Sequence, residues 1–450
     1  MSKNKTNFCG FSLLISITFI LLISKIKCIL EIPIQTFNFH NPLKNESISI
    51  DKNNLLVGKI KIGSANQEFN LILDTTSWLS WVPLEGSKDQ YPLQNHYNPK
   101  QSTTSKKTDK TFQLDHSGYY CEGEYYEDEL QFIDNKKFNF KFGVANETKF
   151  NPEEADGILG LAYDFNEEKL SFINSLKISG ITDSLSFSIL LNDDKTINGI
   201  KGTMYIGKHE DFSKNETVSC PLKFDKSKKY WAYNLKSFGL YNSVNEIISN
   251  KTYQVIFDTA SNVIVLPLKY FQDINKNLSL YECKYVTFGE FKNPIYKLAC
   301  TNKEKLPNFK LKLNGQNFLL TKDYIFYEKE NVYYSKIIFN GENSIIGTPF
   351  FSIFHTMFDK EKKMLRFYPK SPEYIERGDI EEKEEPEKDK IEPEEGGFKM
   401  VYLVYIFIPL VIIIIVILVV ICAKIHRNKK GENLMNDLEQ NDEENAILNN

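Results

Sequence analysis

Apolar and polar residues alternate along much of the chain, and this alternation predicts strands. The alternating stretches are separated by turns rich in Gly, Asn and Asp, which is typical of half-buried strands. They include Leu56–Ile62, Phe138–Val144, Phe187–Leu191, Gly202–Ile206, Asn308–Leu313 and Tyr324–Tyr327. Two short segments, Asn166–Lys177 and Pro267–Asn277, are predicted to be helical. The pattern therefore predicts an all-β body.

Two longer apolar runs lie near the ends of the chain. Phe11–Ile23 follows two lysines and is too short to span a bilayer comfortably, so residues 1–28 are predicted to be a secretory signal peptide. An uncleaved anchor is the alternative. Met400–Ala423 carries no charge and would form about 36 Å of helix, enough to cross a membrane. Residues 400–423 are therefore predicted to be a transmembrane helix, with a buried core helix as the alternative.

The charged residues around the second run predict its orientation. Basic residues from Lys424 to Lys430 place the tail, residues 424–450, in the cytoplasm. Residues 371–399 are dense in Glu and Lys and predict a solvated acidic stalk. The protein is then a single-pass type I membrane protein of the secretory pathway with a lumenal or extracellular body. The cell surface and an endolysosomal or vacuolar membrane both stay open.

Entry into the secretory pathway would make Asn-x-Ser/Thr triplets acceptors for glycosylation. We expect a majority of the five triplets that follow the predicted signal peptide to be modified; they begin at Asn45, Asn146, Asn215, Asn250 and Asn277. The 450 residues carry a net charge of −4, which offers no basic surface for nucleic acid. A chain of this length is too long for one core and predicts two domains plus appendages.

One short motif occurs twice. Leu71–Leu73 leads into Asp74-Thr75-Thr76-Ser77, and Val255–Phe257 leads into Asp258-Thr259-Ala260-Ser261. Either copy alone is typical of a capped turn. A second repeated element, Ala155–Leu161 and Ser344–Pro349, follows each copy: 160−74=86 residues separate Asp74 from Gly160, and 347−258=89 separate Asp258 from Gly347. This shared spacing predicts two similar lobes.

The ordered set of motifs resembles the pepsin-like aspartic proteases over residues 55–369. Besides the two Asp motifs, the resemblance is carried by Val57–Phe69, Trp81–Pro83, Asp156–Ala162, Tyr230–Trp231, Leu306–Phe309, Asn314–Gly315 and Ile345–Phe351. It implies a bilobal fold with a cleft between an N-terminal lobe, residues 56–222, and a C-terminal lobe, residues 223–370. It also implies polypeptide substrates, a monomer, and neither a cofactor nor a metal.

The resemblance assigns Asp74 and Asp258 as the catalytic pair of an endopeptidase that works at acidic pH. Two adjacent carboxylates share one proton, so one can activate a water while the other polarises the peptide carbonyl. The resemblance further implies that Thr75 and Thr259 hydrogen-bond across the lobe junction. It implies that the Ser77 and Ser261 hydroxyls donate to the carboxylates, as dyad support.

The third motif position departs from the family pattern. The family has Gly there, whereas this chain has Thr76 in the first copy and Ala260 in the second. A stiff β-branched residue must then fit in a crowded loop, which is tolerable if its φ is negative. The competing hypothesis is therefore a pseudoprotease, a membrane glycoprotein that binds peptide without turnover.

The family closes its cleft with a β-hairpin flap. Here Gly123–Leu130 resembles the returning strand, which places the tip near His116, Ser117, Gly118 and Tyr119. The family's tip Tyr bonds an indole that corresponds to Trp81. Counting without gaps places His116 at that position, and a small shift places Tyr119 there. Trp81 as an ordinary core residue is the alternative.

Four cysteines fall in the predicted body, in an oxidising compartment. The resemblance implies a disulfide between Cys283 and Cys300, and a bridge between Cys121 and Cys220 stays possible. Residues 29–55, between the predicted signal and the first lobe, are interpreted as a short pro-segment or N-terminal extension.

Overall fold

A computed structural model describes the body of the protein. The described residues are 30–37, 55–91, 93–116, 119–131, 136–150, 155–163, 171–192, 202–222, 230–242, 245–288, 294–340 and 344–378. They are mostly strand, as predicted, and form two large sheets.

The first sheet is built mainly from the N-terminal half of the chain. Its members are β1 (Leu30–Phe37), β2 (Leu55–Ile62), β3 (Gln67–Asp74), β4 (Trp81–Asp89), β5 (Lys106–His116), β6 (Tyr119–Gln131), β7 (Lys137–Lys149), β8 (Gly157–Gly160), β9 (Ser186–Leu191), β10 (Gly202–Ile206), β11 (Val218–Pro221), β23 (Phe354–Asp359) and β24 (Met364–Pro369). The strands follow the spatial order β11-β24-β23-β9-β10-β1-β2-β3-β8-β4-β7-β6-β5.

The second sheet is built from the C-terminal half. Its members are β12 (Ala232–Tyr241), β13 (Glu246–Ser249), β14 (Tyr253–Phe257), β15 (Ile264–Pro267), β16 (Cys283–Phe288), β17 (Ile295–Cys300), β18 (Asn308–Leu313), β19 (Gln316–Leu320), β20 (Phe326–Lys329), β21 (Val332–Asn340), β22 (Ile345–Ile346) and β25 (Ile375–Glu376). The spatial order is β16-β17-β21-β15-β22-β14-β12-β18-β19-β25, with β13 beside β12 and β20 beside β21.

Short helical segments connect the strands. The α-helices are Phe172–Ile178, Leu268–Ile274, Lys322–Ile325 and Thr348–Phe351, and the 3-10 helices are Pro99–Gln101, Glu210–Ser213, Asn275–Tyr281, Lys303–Lys305 and Pro372–Tyr374. Within the described ranges, no helix has the length and apolar character needed to cross a bilayer. The predicted signal peptide (1–28), most of the stalk (371–399), the transmembrane segment (400–423) and the tail (424–450) lie outside those ranges.

The alternating pattern located most strands well, but it misplaced one. Gly202–Ile206 and Asn308–Leu313 are strands with the predicted bounds. Tyr324–Tyr327 was wrong as a strand, because a helical turn covers Lys322–Ile325 and β20 begins only at Phe326. The Asn308 side chain accepts the backbone N–H of Lys322 at 2.8 Å and so stabilises the start of that turn.

Strand β1 lies inside the first sheet, between β2 and β10. Ile32 pairs with Met204 on one side, and Ile34 pairs with Gly58 on the other. Leu30, Ile32 and Ile34 are buried. The segment interpreted as a short pro-segment or extension therefore contributes a paired, apolar strand, and its removal would leave β2 and β10 without a partner on that side.

The chain returns to the first sheet at the end of the C-terminal half. Strand β23 pairs with β9, with Met357 opposite Ser188, and β24 pairs with β11. Trp231 links the halves again: its indole N–H donates to the carbonyl of Leu161 at 2.8 Å, and its own carbonyl accepts the N–H of Phe257 at 2.8 Å. These contacts connect the residue that follows β8 to the strand that precedes the second Asp motif.

Candidate active site

Each Asp motif follows a strand that is hydrogen-bonded in parallel to a short strand from the second repeated element. Strand β3 pairs with β8, which places Asp74 opposite Gly160. Strand β14 pairs in the same way with β22, which places Phe257 opposite Ile346. The two copies therefore share one local architecture, which agrees with their similar spacings of 86 and 89 residues.

Gly160 and Gly347, the glycines of the second repeated element, allow the backbone of each Asp motif loop to approach closely. A Cβ on Gly160 would lie 2.8 Å from the carbonyl oxygen of Ser77. A Cβ on Gly347 would overlap with the carbonyl oxygens of Ser261 and Val263. Glycine is therefore required at both positions because the Asp-bearing loop crosses directly over it.

Thr75 and Thr259 join the two motif loops. The N–H of Thr75 donates to the Thr259 hydroxyl oxygen at 3.1 Å, and the N–H of Thr259 donates to the Thr75 hydroxyl oxygen at 3.0 Å. Each hydroxyl also donates across to the opposite strand, Thr75 to the carbonyl of Phe257 and Thr259 to that of Leu73. All of these groups are buried, so the loops are held by a reciprocal network with no water needed to complete it.

Asp74 and Asp258 each directly precede one of these two bonded threonines, and both are largely inaccessible. Asp74 is 1% exposed and Asp258 is 8% exposed. Burial and the neighbouring Asp74 carboxylate together raise the pKa of Asp258 to about 8, while the Ala260 N–H opposes that rise. Two neighbouring carboxylates disfavour double ionisation, so the raised pKa of Asp258 favours its protonated form.

The donors around the pair differ from those that the resemblance implied. The Ser77 hydroxyl donates to the carbonyl of Leu79 at 3.1 Å, and the Ser261 hydroxyl donates to the carbonyl of Val263 at 2.9 Å. The expectation that both hydroxyls donate to the carboxylates is therefore not met. Each serine instead closes a tight turn onto the carbonyl two residues later, which directs its hydroxyl away from the dyad.

The third motif position accommodates its side chain. Thr76 and Ala260 are not among the described non-glycine residues with positive φ, so neither position demands glycine on backbone grounds. The Thr76 side chain is buried, and its hydroxyl donates to Asp74 Oδ1 at 2.7 Å. A polar contact that the family's glycine would lack thus forms at the dyad.

The hairpin that the sequence predicted to be the flap consists of β5 and β6, and its last described pair sets His116 opposite Tyr119. The Tyr119 ring lies 6.3 Å from the Trp81 ring and 5.5 Å from the Phe150 ring, measured between centroids. Ser117, Gly118 and the His116 side chain lie outside the described part of the chain. Tyr119, one of the two tip residues considered from the sequence, therefore lies beside Trp81.

Tyr119 also lies close to the dyad. Burial and the Asp74 carboxylate raise the pKa of its hydroxyl well above the usual range, and the hydroxyl lies next to Ser77. Trp81 is fully buried and packs in a cluster with Phe112, Cys121 and Ile158. Trp81 is thus a core residue that also contacts the end of the β5–β6 hairpin at Tyr119.

A model of the eukaryotic aspartyl protease family matches residues 56–369, about 70% of the chain. The chain belongs to this family. Mouse gastricsin is 25% identical over 315 residues, which cover 67% of this chain and 77% of gastricsin. Vacuolar protease A of Aspergillus fumigatus is 26% identical over 292 residues, covering 63% and 70%. The vacuolar aspartic protease of Candida albicans is 26% identical over 325 residues, covering 69% and 74%.

The described residues of this family member include four cysteines, of which two are joined in a disulfide. Cys283 and Cys300 form a disulfide between β16 and β17. Cys121 and Cys220 are both buried but are not joined to each other, and they lie in different apolar clusters. Burial raises the pKa of the Cys121 thiol above its usual range.

One group of three potential metal ligands occurs among the described residues of this family member. The ligand atoms of His209, Asp211 and His355 lie within 4.8 Å of one another. The His355 ring contacts the Asp211 carboxylate at 3.0 Å and the Ser188 hydroxyl at 2.9 Å, and His209 Nδ1 accepts the N–H of Asp211 at 3.3 Å. Because these atoms already bond one another, we assign the group to joining β23 and the segment after β10, and assign it no metal.

Proposed function

We propose that this chain is an aspartic endopeptidase in which Asp74 and Asp258 hydrolyse peptide bonds by activating a water. The observation that carries the proposal is the pair itself: two buried carboxylates on loops joined by the Thr75 and Thr259 bonds, with the pKa of Asp258 raised by burial and by Asp74. Such a pair supplies a base and an acid within reach of one substrate bond. The substrate is a polypeptide held under the flap.

The two carboxylates differ in their hydrogen bonds, and this assigns their roles. Asp74 Oδ1 accepts three donors, whereas Asp258 accepts the N–H of Ala260 at 2.8 Å. Donors favour the charged form, so Asp74 is the base that takes a proton from water. Asp258 keeps its proton up to a pH of about 8 and donates a hydrogen bond to the peptide carbonyl.

The test uses the full-length protein in detergent, assayed on an unfolded protein substrate between pH 3 and 7. Asp74→Asn and Asp258→Asn are the matched controls, since each keeps the side-chain shape and removes one carboxylate. We expect cleavage by the wild type and loss of cleavage in both variants. Cleavage that persists in both variants would remove the dyad from the mechanism.

A peptide-binding pseudoprotease is the second candidate function. The observation behind it is the presence of Thr76, together with Tyr119, beside the dyad. The same experiment separates the two functions: a wild type that binds unfolded substrate in pull-down but cleaves nothing at any pH supports the pseudoprotease.

We further propose that the protease body is lumenal or extracellular and is anchored by residues 400–423. The sequence pattern supports this topology, and two of the relatives are named vacuolar proteases. Four of the five glycosylation triplets, at Asn146, Asn215, Asn250 and Asn277, begin with exposed residues, while Asn45 lies outside the described part. Glycosidase treatment and protease digestion of sealed microsomes test the topology; a body that is digested without detergent and carries no glycan would contradict it.

A further inference from the structure

The two motif loops donate to their carboxylates in matching ways through the backbone. The N–H of Thr76 donates to Asp74 Oδ1 at 2.7 Å, and the N–H of Ala260 donates to Asp258 Oδ1 at 2.8 Å. These two bonds are equivalent by position in the repeated motif. They therefore give neither aspartate an advantage in holding the negative charge.

The side chains break this equivalence. The Thr76 hydroxyl donates to Asp74 Oδ1 at 2.7 Å, and the N–H of Ser77 adds a third bond to the same oxygen at 3.0 Å. At the second motif, the residue equivalent to Thr76 is Ala260, which has no hydroxyl. The N–H of Ser261 points to the backbone carbonyl of Asp258 rather than to its carboxylate, at 3.4 Å. The asymmetry of the dyad thus comes from Thr76 and from the tighter turn around it.

A hydroxyl at this place favours one charge state. A hydrogen bond to a carboxylate is stronger when the carboxylate is ionised, and it strengthens further where water is excluded. Asp74 and Thr76 are both buried. The hydroxyl therefore stabilises the negative charge on Asp74 relative to the state in which the charge lies on Asp258.

We propose that Thr76 is a positioning residue whose hydroxyl holds Asp74 as the ionised member of the pair and thereby leaves the shared proton on Asp258. The Thr76 hydroxyl then replaces the Ser77 hydroxyl as the side-chain donor to Asp74, since the Ser77 hydroxyl donates to Leu79 instead. This inference rests on the proposed endopeptidase function, because it assigns roles within that same site.

Thr76→Val and Thr76→Ser test the inference in the full-length protein. Valine keeps the β-branched shape and removes the hydroxyl, while serine keeps the hydroxyl and removes only the methyl group. We expect the acid limb of the kcat/KM profile to move to higher pH by about one unit in Thr76→Val, the size expected for one charge-assisted hydrogen bond. The profile of Thr76→Ser should coincide with that of the wild type. A wild-type profile in Thr76→Val, or an equal shift in both variants, would overturn the proposal.

A second measurement does not depend on turnover. The melting temperature of the wild type should exceed that of Thr76→Val by more at pH 6 than at pH 3, because the lost bond is stronger to the ionised carboxylate. Thr76→Ser should show no such pH dependence. A difference between wild type and Thr76→Val that is the same at both pH values contradicts the role of Thr76, whereas absent cleavage with a pH-dependent difference contradicts only the endopeptidase function.

Discussion

Thr75 and Thr259 each accept the backbone N–H of the other on a hydroxyl oxygen, at 3.0 and 3.1 Å. The same hydroxyls donate to carbonyl groups of the strands that end at the opposite aspartate. The pair therefore fixes the distance between two loops that come from different halves of the chain. The alignment of Asp74 with Asp258 depends on this contact more directly than on the packing of either sheet.

Thr259→Val removes one hydroxyl and leaves the buried N–H of Thr75 without its acceptor. An unsatisfied buried donor costs about 1–3 kcal/mol, so the free energy of unfolding should fall by that amount, and kcat/KM should fall because the carboxylates lose their alignment. Urea unfolding and steady-state assays measure the two effects. Thr259→Ser, which retains the hydroxyl, is the control; equal stability of the two variants would show that the network does not hold the loops.

Gly347→Ala tests why the second repeated element needs glycine. A Cβ at this position would overlap with backbone carbonyl oxygens of the Asp258 loop, which have little freedom to move. We expect a loss of stability of at least about 2 kcal/mol, as for other overpacked sites, and loss of activity. Gly58→Ala is the control, because its Cβ would meet the side-chain atoms of Ile32 and Leu73 at 3.1 and 3.2 Å. A Gly347→Ala protein as stable as Gly58→Ala would contradict the close approach.

The alternation of apolar and polar residues was sufficient to predict the bounds of some strands. The bounds of β10 and β18 follow from their own alternation of apolar and polar residues. The turn at Lys322–Ile325 was beyond such a pattern, because the Asn308 side chain that stabilises it comes from another strand. Sequence periodicity reports the side that a residue faces, and it carries no information on a cap supplied by a distant residue.

The sequence likewise predicted some residues of the candidate site and missed others. The repetition of two motifs at similar spacing predicted Asp74 and Asp258 as a pair, and the structure shows the same strand pairing beside both. The Thr76 hydroxyl was missed as a donor, since the family's glycine offers no side chain from which to infer a role. The flap residue stayed ambiguous because counting along the chain does not fix the register of a hairpin, whereas the pairing of His116 with Tyr119 does.

Tyr119→Phe tests the assignment of the flap residue. The Tyr119 hydroxyl lies near Ser77 and Asp74, so its loss should lower kcat/KM by about tenfold, the scale of one hydrogen bond made in the active site. The ring contacts with Trp81 and Phe150 would remain, so the melting temperature should change little. His116→Ala is the comparison and should stay within about twofold of the wild type. A larger loss in His116→Ala than in Tyr119→Phe would return the role to His116.

Asp258→Asn should make the protein more stable at neutral pH. Burial and the Asp74 carboxylate raise the pKa of Asp258 from its usual range to about 8 in the folded state, so between pH 4 and 8 the folded state binds a proton that the unfolded state has released. Stability from this group is therefore complete below the unfolded pKa and is lost as pH rises towards 8. The amide does not ionise, so the variant should gain more than about 1 kcal/mol over wild type at pH 7 and show a smaller difference at pH 4. Urea unfolding at both pH values measures this, with Asp273→Asn, a half-buried aspartate paired with Lys251, as the control that should show no gain at pH 7. A constant difference between Asp258→Asn and wild type across this range would mean that the dyad holds no proton in the folded state.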